Sequence, residues 1–235
     1  MDLLAAAGFD PGLLERYGPS LLLGLRTTLA LVAISIPLGF ALALPIAVAR
    51  IEGGAVGGVA TAFTTFFRGT PLLGQLFLVY YGAGEFHAAL QAAGLWWLFR
   101  DAFWCAVLTF VLNTAAYQAE IIRGAAQAIP AGQLEAARAL GLGEPAIYRL
   151  VLLPQAMALA LRPLGNELIL MIKASSLASV VTVVDLMGAT KRAFSSSVSF
   201  EVYLWAAVIY LVLVEIVRRI WNALERRIAW RGGAA

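Results

Sequence analysis

Residues Glu135–Pro154 read E-A-A-R-A-L-G-L-G-E-P-A-I-Y-R-L-V-L-L-P. Ala136, Ala137 and Ala139 make the first part helix-friendly and small enough for close packing. Gly141 then interrupts, because glycine is costly inside a helix and natural just past one. A second helical stretch follows, with Ile147, Leu150 and Val151 at near-helical spacing and Pro154 opening the next element. The unit carries Glu135, Arg138, Glu144 and Arg149 in a chain that is otherwise mostly apolar. A polar helical pair between two apolar spans stays in water and offers a surface to dock.

Composition places that unit in a membrane protein. The chain has 235 residues, 61% of them hydrophobic and 13% charged, with a mean hydropathy of +0.84. These values exclude an ordinary soluble domain. A net charge of +3 is too small to argue for a nucleic-acid partner. The lone Cys105 excludes a disulfide within the chain, and with His87 as the single imidazole it makes a Cys/His metal site implausible. Cys105 is expected to pack as a small hydrophobe and His87 to lie at an interface.

Apolar stretches over residues 21–49, 59–81, 102–122, 157–172 and 202–221 predict about five spanning helices, an all-α polytopic membrane bundle. The chain then divides into an extracytoplasmic head (1–20), a transmembrane domain (21–227) with its polar loop at 130–154, and a short cytoplasmic tail (228–235). Pro37 and Pro45 are expected to kink the first span. Arg68, beside Pro71, is either a headgroup anchor or a structural contact near a partner. Glu85–Arg100, with Trp96 and Trp97 adjacent, reads as a short helix lying on the outer face. Lys191–Phe200 reads as a polar, serine-rich loop.

Polar residues inside the spans face protein or water rather than lipid. Asn113, Tyr117 and Glu120 share one face of the third span. The candidate solute path is Asn113, Glu120, Asn166, Glu167, Ser175, Ser176 and Asp185. For Glu120 and Glu167 a helix-end ion pair is the competing role, since Arg123 and Arg162 lie within helical reach. Acidic groups along a path favour cationic solutes.

An odd number of spans puts the two ends on opposite sides, and the positive-inside rule chooses between them. A cytoplasmic C-terminus places Arg50, Arg68, Arg123, Arg138, Arg149, Arg162, Arg218, Arg219, Arg226, Arg227 and Arg231 on the inner side, 11 of the 17 basic residues. The N-terminus is then extracytoplasmic and the 130–154 loop cytoplasmic.

Residues Glu135–Pro154 resemble the cytoplasmic coupling loop of ATP-binding-cassette importer permeases. That loop carries E-A-A, a glycine and Ile-x-Leu-Pro at fixed spacing. Here Glu135-Ala136-Ala137, Gly141 and Val151-Leu152-Leu153-Pro154 occupy those places, with Val151 for isoleucine. Phe66–Gly82, Ala116–Pro130, Arg162–Glu167 and Lys173–Val180 resemble the histidine/glutamine-type polar amino-acid branch, with Arg162 and Ser175 as mild departures. The resemblance implies a type I, MetI-like permease in a bacterial inner membrane, importing polar amino acids; with the acidic residues of the path, basic ones such as arginine, lysine, histidine, ornithine or opine-like compounds are favoured. It implies coupling to an ATPase through Glu135, Ala136, Ala137, Arg138 and Gly141. It further implies three kinds of partner: an ATP-binding subunit dimer, a second permease copy or homologous sister, and an extracytoplasmic substrate-binding protein.

The chain carries no Gly-x4-Gly-Lys-Ser/Thr, so it is read as a non-enzyme that binds no cofactor itself, with ATP and Mg on the partner. Two other classes of protein make different demands on a sequence. An ion-gradient-driven carrier of small polar solutes would show two similar halves with matching broken helices, and none stand out. An intramembrane enzyme would need an activated nucleophile or paired metal ligands, and neither is present in the sequence.

Overall fold

The computed structural model describes residues 10–231, and among them every regular element is a helix. Helix α1 (Pro11–Glu52) has 42 residues. At a 1.5 Å rise it is about 63 Å long, twice the ~30 Å of a bilayer's hydrocarbon core. Residues 11–20 of the expected extracytoplasmic head form the first turns of this helix, while residues 1–9 lie outside the described residues. Pro37 and Pro45 are carried inside it.

The second expected span is divided into α2 (Gly54–Gly69) and α3 (Leu72–Tyr80). Pro71 forces the preceding Thr70 out of the helical region, to φ −111° and ψ 147°. The Thr70 amide and hydroxyl both donate to the Phe66 carbonyl, at 3.1 and 2.8 Å, which closes the end of α2. Three short helices follow, α4 (Gly82–Glu85), α5 (His87–Ala92) and α6 (Trp96–Phe99). His87 meets Trp96 edge-on at 4.2 Å. Helix α7 (Ala102–Gln127) is the third span, with Cys105 fully buried near its start.

Helices α8 (Ala131–Ala139) and α9 (Glu144–Ile147) form the polar loop. A π-helical turn, Tyr148–Leu152, joins α9 to α10 (Leu153–Ala174). Pro154 thus sits in the first turn of α10 rather than at a break before it. Proline lacks an N–H and crowds the carbonyl four residues back. The wider turn just before it, closed by Leu153 N–H to the Tyr148 carbonyl, makes room for the ring. Gln155 Nε2 donates to the Val151 carbonyl at 3.0 Å.

A 3₁₀ segment (Ser175–Val181) continues from α10 and ends at Thr182, whose φ is +69°. The serine-rich stretch expected as a loop instead completes helix α11 (Leu186–Ser197). Asp185 caps its first turn, accepting from Gly188 N at 2.8 Å. Ser195, Ser196 and Ser197 each donate to the carbonyl four residues earlier, so their hydroxyls are satisfied along the helix without breaking it. Helix α12 (Glu201–Arg231) closes the described chain and runs past the expected start of the tail.

Among the described residues, three stretches are fit by length and composition alone to cross a membrane: Gly12–Glu52, Ala102–Gln127 and Glu144–Val181. The α2–α3 pair is split at Pro71, and the apolar stretch of α12 is bracketed by Glu201, Glu215, Arg218 and Arg219. Both remain apolar on their exposed faces, as Val56, Val59 and Leu78, and Leu204, Val208 and Leu211, show.

The chain falls into two compact units. One comprises Met1–Ser35, Pro71–Phe110 and Leu170–Val217. Its core sets Leu21, Leu186 and Ala189 among Trp205, Ile209 and Tyr210. Gly24 is obligatory there, because a Cβ would come within 2.6 Å of the Asp185 carbonyl. The other comprises Ile36–Thr70, Val111–Ile169 and Arg218–Ala235. Its core is rich in alanine, with Ala125, Ala126, Ala156 and Ala160 in one cluster and Ala43, Ala47 and Ala119 in another. Small residues let membrane helices approach closely where apolar surface alone gives little drive.

Candidate functional site

The loop unit is built around its turn. Gly141 has φ +77°, a left-handed conformation open to glycine. Leu142 N donates to the Ala137 carbonyl at 3.2 Å and Gly141 N to the Arg138 carbonyl at 2.9 Å. This is the paired bonding of a Schellman motif, which satisfies the last carbonyls of α8 and reverses the chain. Arg138 then reaches Glu144 across the turn, Nε to Oε1 at 2.7 Å and Nη2 to Oε2 at 3.3 Å. The hydrogen-bonded carboxylate raises the already high pKa of the Arg138 guanidinium. Both partners are half exposed, so the pair sets geometry more than stability.

Leu134 and Ala137 turn inward, Leu134 against the cluster that includes Ala125, Ala126 and Leu152. A cavity of about 350 Å³ lies beneath, bordered by Ile51, Leu134, Arg138, Glu144 and Tyr148. Glu135, Ala136 and Ala139 face outward, and Leu140 at the tip is 82% exposed. Of the sequence-derived coupling residues, Glu135 and Ala136 lie on the free face, Ala137 anchors the helix, and Arg138 and Gly141 shape the turn. Leu140 escaped the sequence reading, although a leucine just before Gly141 in a polar loop was the available signal.

The polar residues of the spans separate into three groups. In the first, Glu120 is ringed by Arg50, Arg68 and Arg123. The Arg68 guanidinium also lies over the Tyr117 ring, 5.6 Å from its centroid. Asn113 Nδ2 donates to the Phe67 carbonyl at 3.1 Å, and Tyr117 OH to the Arg68 carbonyl at 3.5 Å. The stripe Asn113–Tyr117–Glu120 thus fastens the C-terminal end of α2. The reach of Arg123 to Glu120 is realised, and Arg50 and Arg68 add partners that local spacing could not reveal.

The second group is a buried string. Gln118 Nε2 donates to Thr114 Oγ1 at 3.0 Å, and Thr114 Oγ1 donates to Glu167 Oε1 at 2.9 Å. Glu167 is 6% exposed, and its neighbour Asn166 is exposed. Arg162 does not approach Glu167; it pairs with Glu225 at 2.8 Å. Gln118 was not among the sequence candidates, because its partner on α7 lies one helical turn away and Glu167 is 49 positions further on.

The third group belongs to the other unit. Ser175 and Ser176 donate to the carbonyls of Ile172 and Lys173, at 2.8 and 2.7 Å, and so knit the 3₁₀ segment. Asp185 is committed to capping α11. The structure therefore gathers Asn113, Glu120 and Glu167 in one unit with Asn166, and leaves Ser175, Ser176 and Asp185 in the other.

Comparison with known proteins identifies what kind of chain carries this loop and these polar groups. Residues 23–230 match the family model described as the binding-protein-dependent transport system inner membrane component. The chain belongs to this family.

Curated relatives of this inner membrane component are named transport permeases. The nopaline transport system permease protein of Agrobacterium fabrum is 42% identical over 86% of this chain and 85% of its own. The octopine transport system permease protein of Rhizobium radiobacter is 41% identical, over 92% and 89%. The arginine permease protein of Haemophilus influenzae is 34% identical, over 91% and 94%. Among solved structures, an amino acid transporter of the ATP-binding-cassette class crystallised with histidines aligns with a TM-score of 0.81 at 35% identity, covering 93% of this chain and 98% of that one. The inward-facing methionine transporter, at 21% identity and a TM-score of 0.74, shares the fold. The expected all-α permease architecture is thereby established. An inner membrane component of a binding-protein-dependent system is neither a gradient-driven carrier nor an intramembrane enzyme.

Proposed function

We propose that this chain forms half of the solute pathway of an ATP-driven importer of polar amino acids or opine-like derivatives, with cationic solutes favoured. The observation that carries the reading is the α8–α9 unit, whose outward face offers Glu135, Ala136, Ala139 and Leu140 while Leu134 and Ala137 hold it to the membrane helices. A rigid helix tied down on one side transmits displacement as a body, which is what coupling to a remote ATPase requires. ATP and Mg bind and react on that partner. The arginine excess at the cytoplasmic ends supports an extracytoplasmic N-terminus and a cytoplasmic loop and C-terminus.

The solute class rests on the relatives and on Glu167. Arginine and the opines of the related permeases each join a cationic nitrogen group to carboxylate. A carboxylate held by Thr114 and backed by Gln118 is suited to a cation in a low-dielectric path. Tagged chain purified in mild detergent should bring with it an ATP-binding subunit, a second permease (identical or sister) and, with solute, a binding protein. In vesicles built from that complex, Glu167→Gln should raise KM for arginine about tenfold or more while glutamine uptake changes little. Equal effects on both solutes would remove Glu167 from cation selection. Recovery of the chain without any ATPase would sink the importer reading.

A further inference from the structure

A cavity of about 600 Å³ lies in the first unit, well away in sequence from the Glu167 string. It is bordered by Thr27 of α1, Tyr80 at the end of α3, Arg100, Asp101 and Phe103 at the start of α7, and Thr182 after the 3₁₀ segment. It is an open cleft, with Arg100, Asp101 and Thr182 exposed to solvent, and its volume is that of a small-solute site. Arg100 and Asp101 place opposite charges side by side on its wall. Asp101 is oriented by the Phe103 amide, which donates to its Oδ1 at 2.8 Å. The Arg100 guanidinium has no carboxylate partner among the described residues.

Thr182 is the second observation. Its φ of +69° is a conformation that a β-branched residue rarely adopts and that glycine would occupy freely. Strained residues of this kind collect at binding sites, where the side chain is needed despite the backbone cost. The Thr182 hydroxyl lies 3.5 Å from the Tyr80 hydroxyl, so two neutral hydrogen-bonding groups line the same cavity as the charged pair.

We propose that this cavity is a second solute site, which takes the zwitterionic head of a free amino acid independently of the Glu167 string. The α-carboxylate is taken by Arg100, the α-ammonium by Asp101, and the hydroxyls of Tyr80 and Thr182 complete the polar wall. Phe103 supplies an apolar surface for the side-chain stem. The site rests on the importer reading, whose topology puts the Arg100–Asp101 turn on the outer side.

The test uses the assembled permease–ATPase complex in nanodiscs without binding protein, and labelled arginine as the probe. Wild type should show two classes of arginine binding. Arg100→Gln and Asp101→Asn should each weaken one class about tenfold or more, leaving the Glu167-dependent class and basal ATP hydrolysis unchanged. Agmatine, which lacks the carboxylate, should bind Arg100→Gln as it binds wild type. Thr182→Gly should weaken the same class with an equal or higher melting temperature, an outcome that misfolding cannot mimic.

Arginine binding unaltered by all three substitutions overturns the site. Unaltered arginine binding with loss of binding-protein-stimulated hydrolysis also overturns it, and assigns the cavity to the binding protein. Absence of arginine uptake by the wild-type complex with its binding protein overturns instead the importer reading on which the site rests.

Discussion

Replacing Gly141 tests whether the α8–α9 turn is the mechanical link. An added Cβ there would find nothing within 4 Å, so packing contributes nothing and the effect is confined to the backbone. At φ +77° an L-residue costs about 1–2 kcal/mol. With each 1.4 kcal/mol worth tenfold, Gly141→Ala should lower the population of the formed turn about 5–30-fold. Gly141→Asn should cost less, since asparagine tolerates the left-handed region. Gly141→Pro should be the most severe: its φ is fixed near −65°, and it deletes the 2.9 Å bond from the Gly141 amide to the Arg138 carbonyl. Titrating the ATP-binding subunit onto permease in nanodiscs reads this as half-saturation, expected to rise in the order Gly, Asn, Ala, Pro. Membrane insertion should be unaffected, because the turn lies outside the spans. A proline variant that saturates at the wild-type concentration and retains full solute-stimulated hydrolysis would refute the link.

Other perturbations probe the frame around it. Arg138→Glu and Glu144→Arg should each reduce coupled hydrolysis, and the double swap should restore much of it, since the half-exposed pair sets the turn's geometry; failure of the double swap would show that the residues act separately. Gly165→Ala would drive a Cβ into the Trp221 indole, whose Nε1 donates to the Leu161 carbonyl at 3.0 Å. Such overpacking should cost about 1–3 kcal/mol and lower the melting temperature in detergent; an unchanged melt would discount that contact. Glu120→Gln removes the single carboxylate shared by Arg50, Arg68 and Arg123. With the arginines 13–39% exposed, the loss should be about 1–3 kcal/mol, read as reduced stability and partly recovered by Arg50→Gln.

Local chemistry made much of this legible from sequence. Apolar runs long enough to span, the Gly141 turn and the arginine bias all act over a few residues, so the order of residues carries them directly. The exceptions were local too. Serines at 195–197 read as a loop because serine competes with helix backbone, and the Asp185 cap that tips the balance lies well ahead of them. The π turn before Pro154 was invisible for a related reason: the sequence records the missing N–H but not whether the chain breaks or widens around it.

Tertiary structure alone decided the pairings. Which arginines surround Glu120, that Glu167 answers to Thr114 rather than Arg162, and that Arg100 and Asp101 share a cavity with Thr182 depend on partners up to 82 positions apart. Sequence determined that these polar groups had to be satisfied somewhere inside an apolar bundle, because unpaired charge in a low-dielectric medium is costly. It could not say by whom, because the rotation and depth of each helix are set by close contacts such as Gly24 on Asp185 within one unit and Gly39 on Thr114 within the other. Those contacts exist only once the helices have packed.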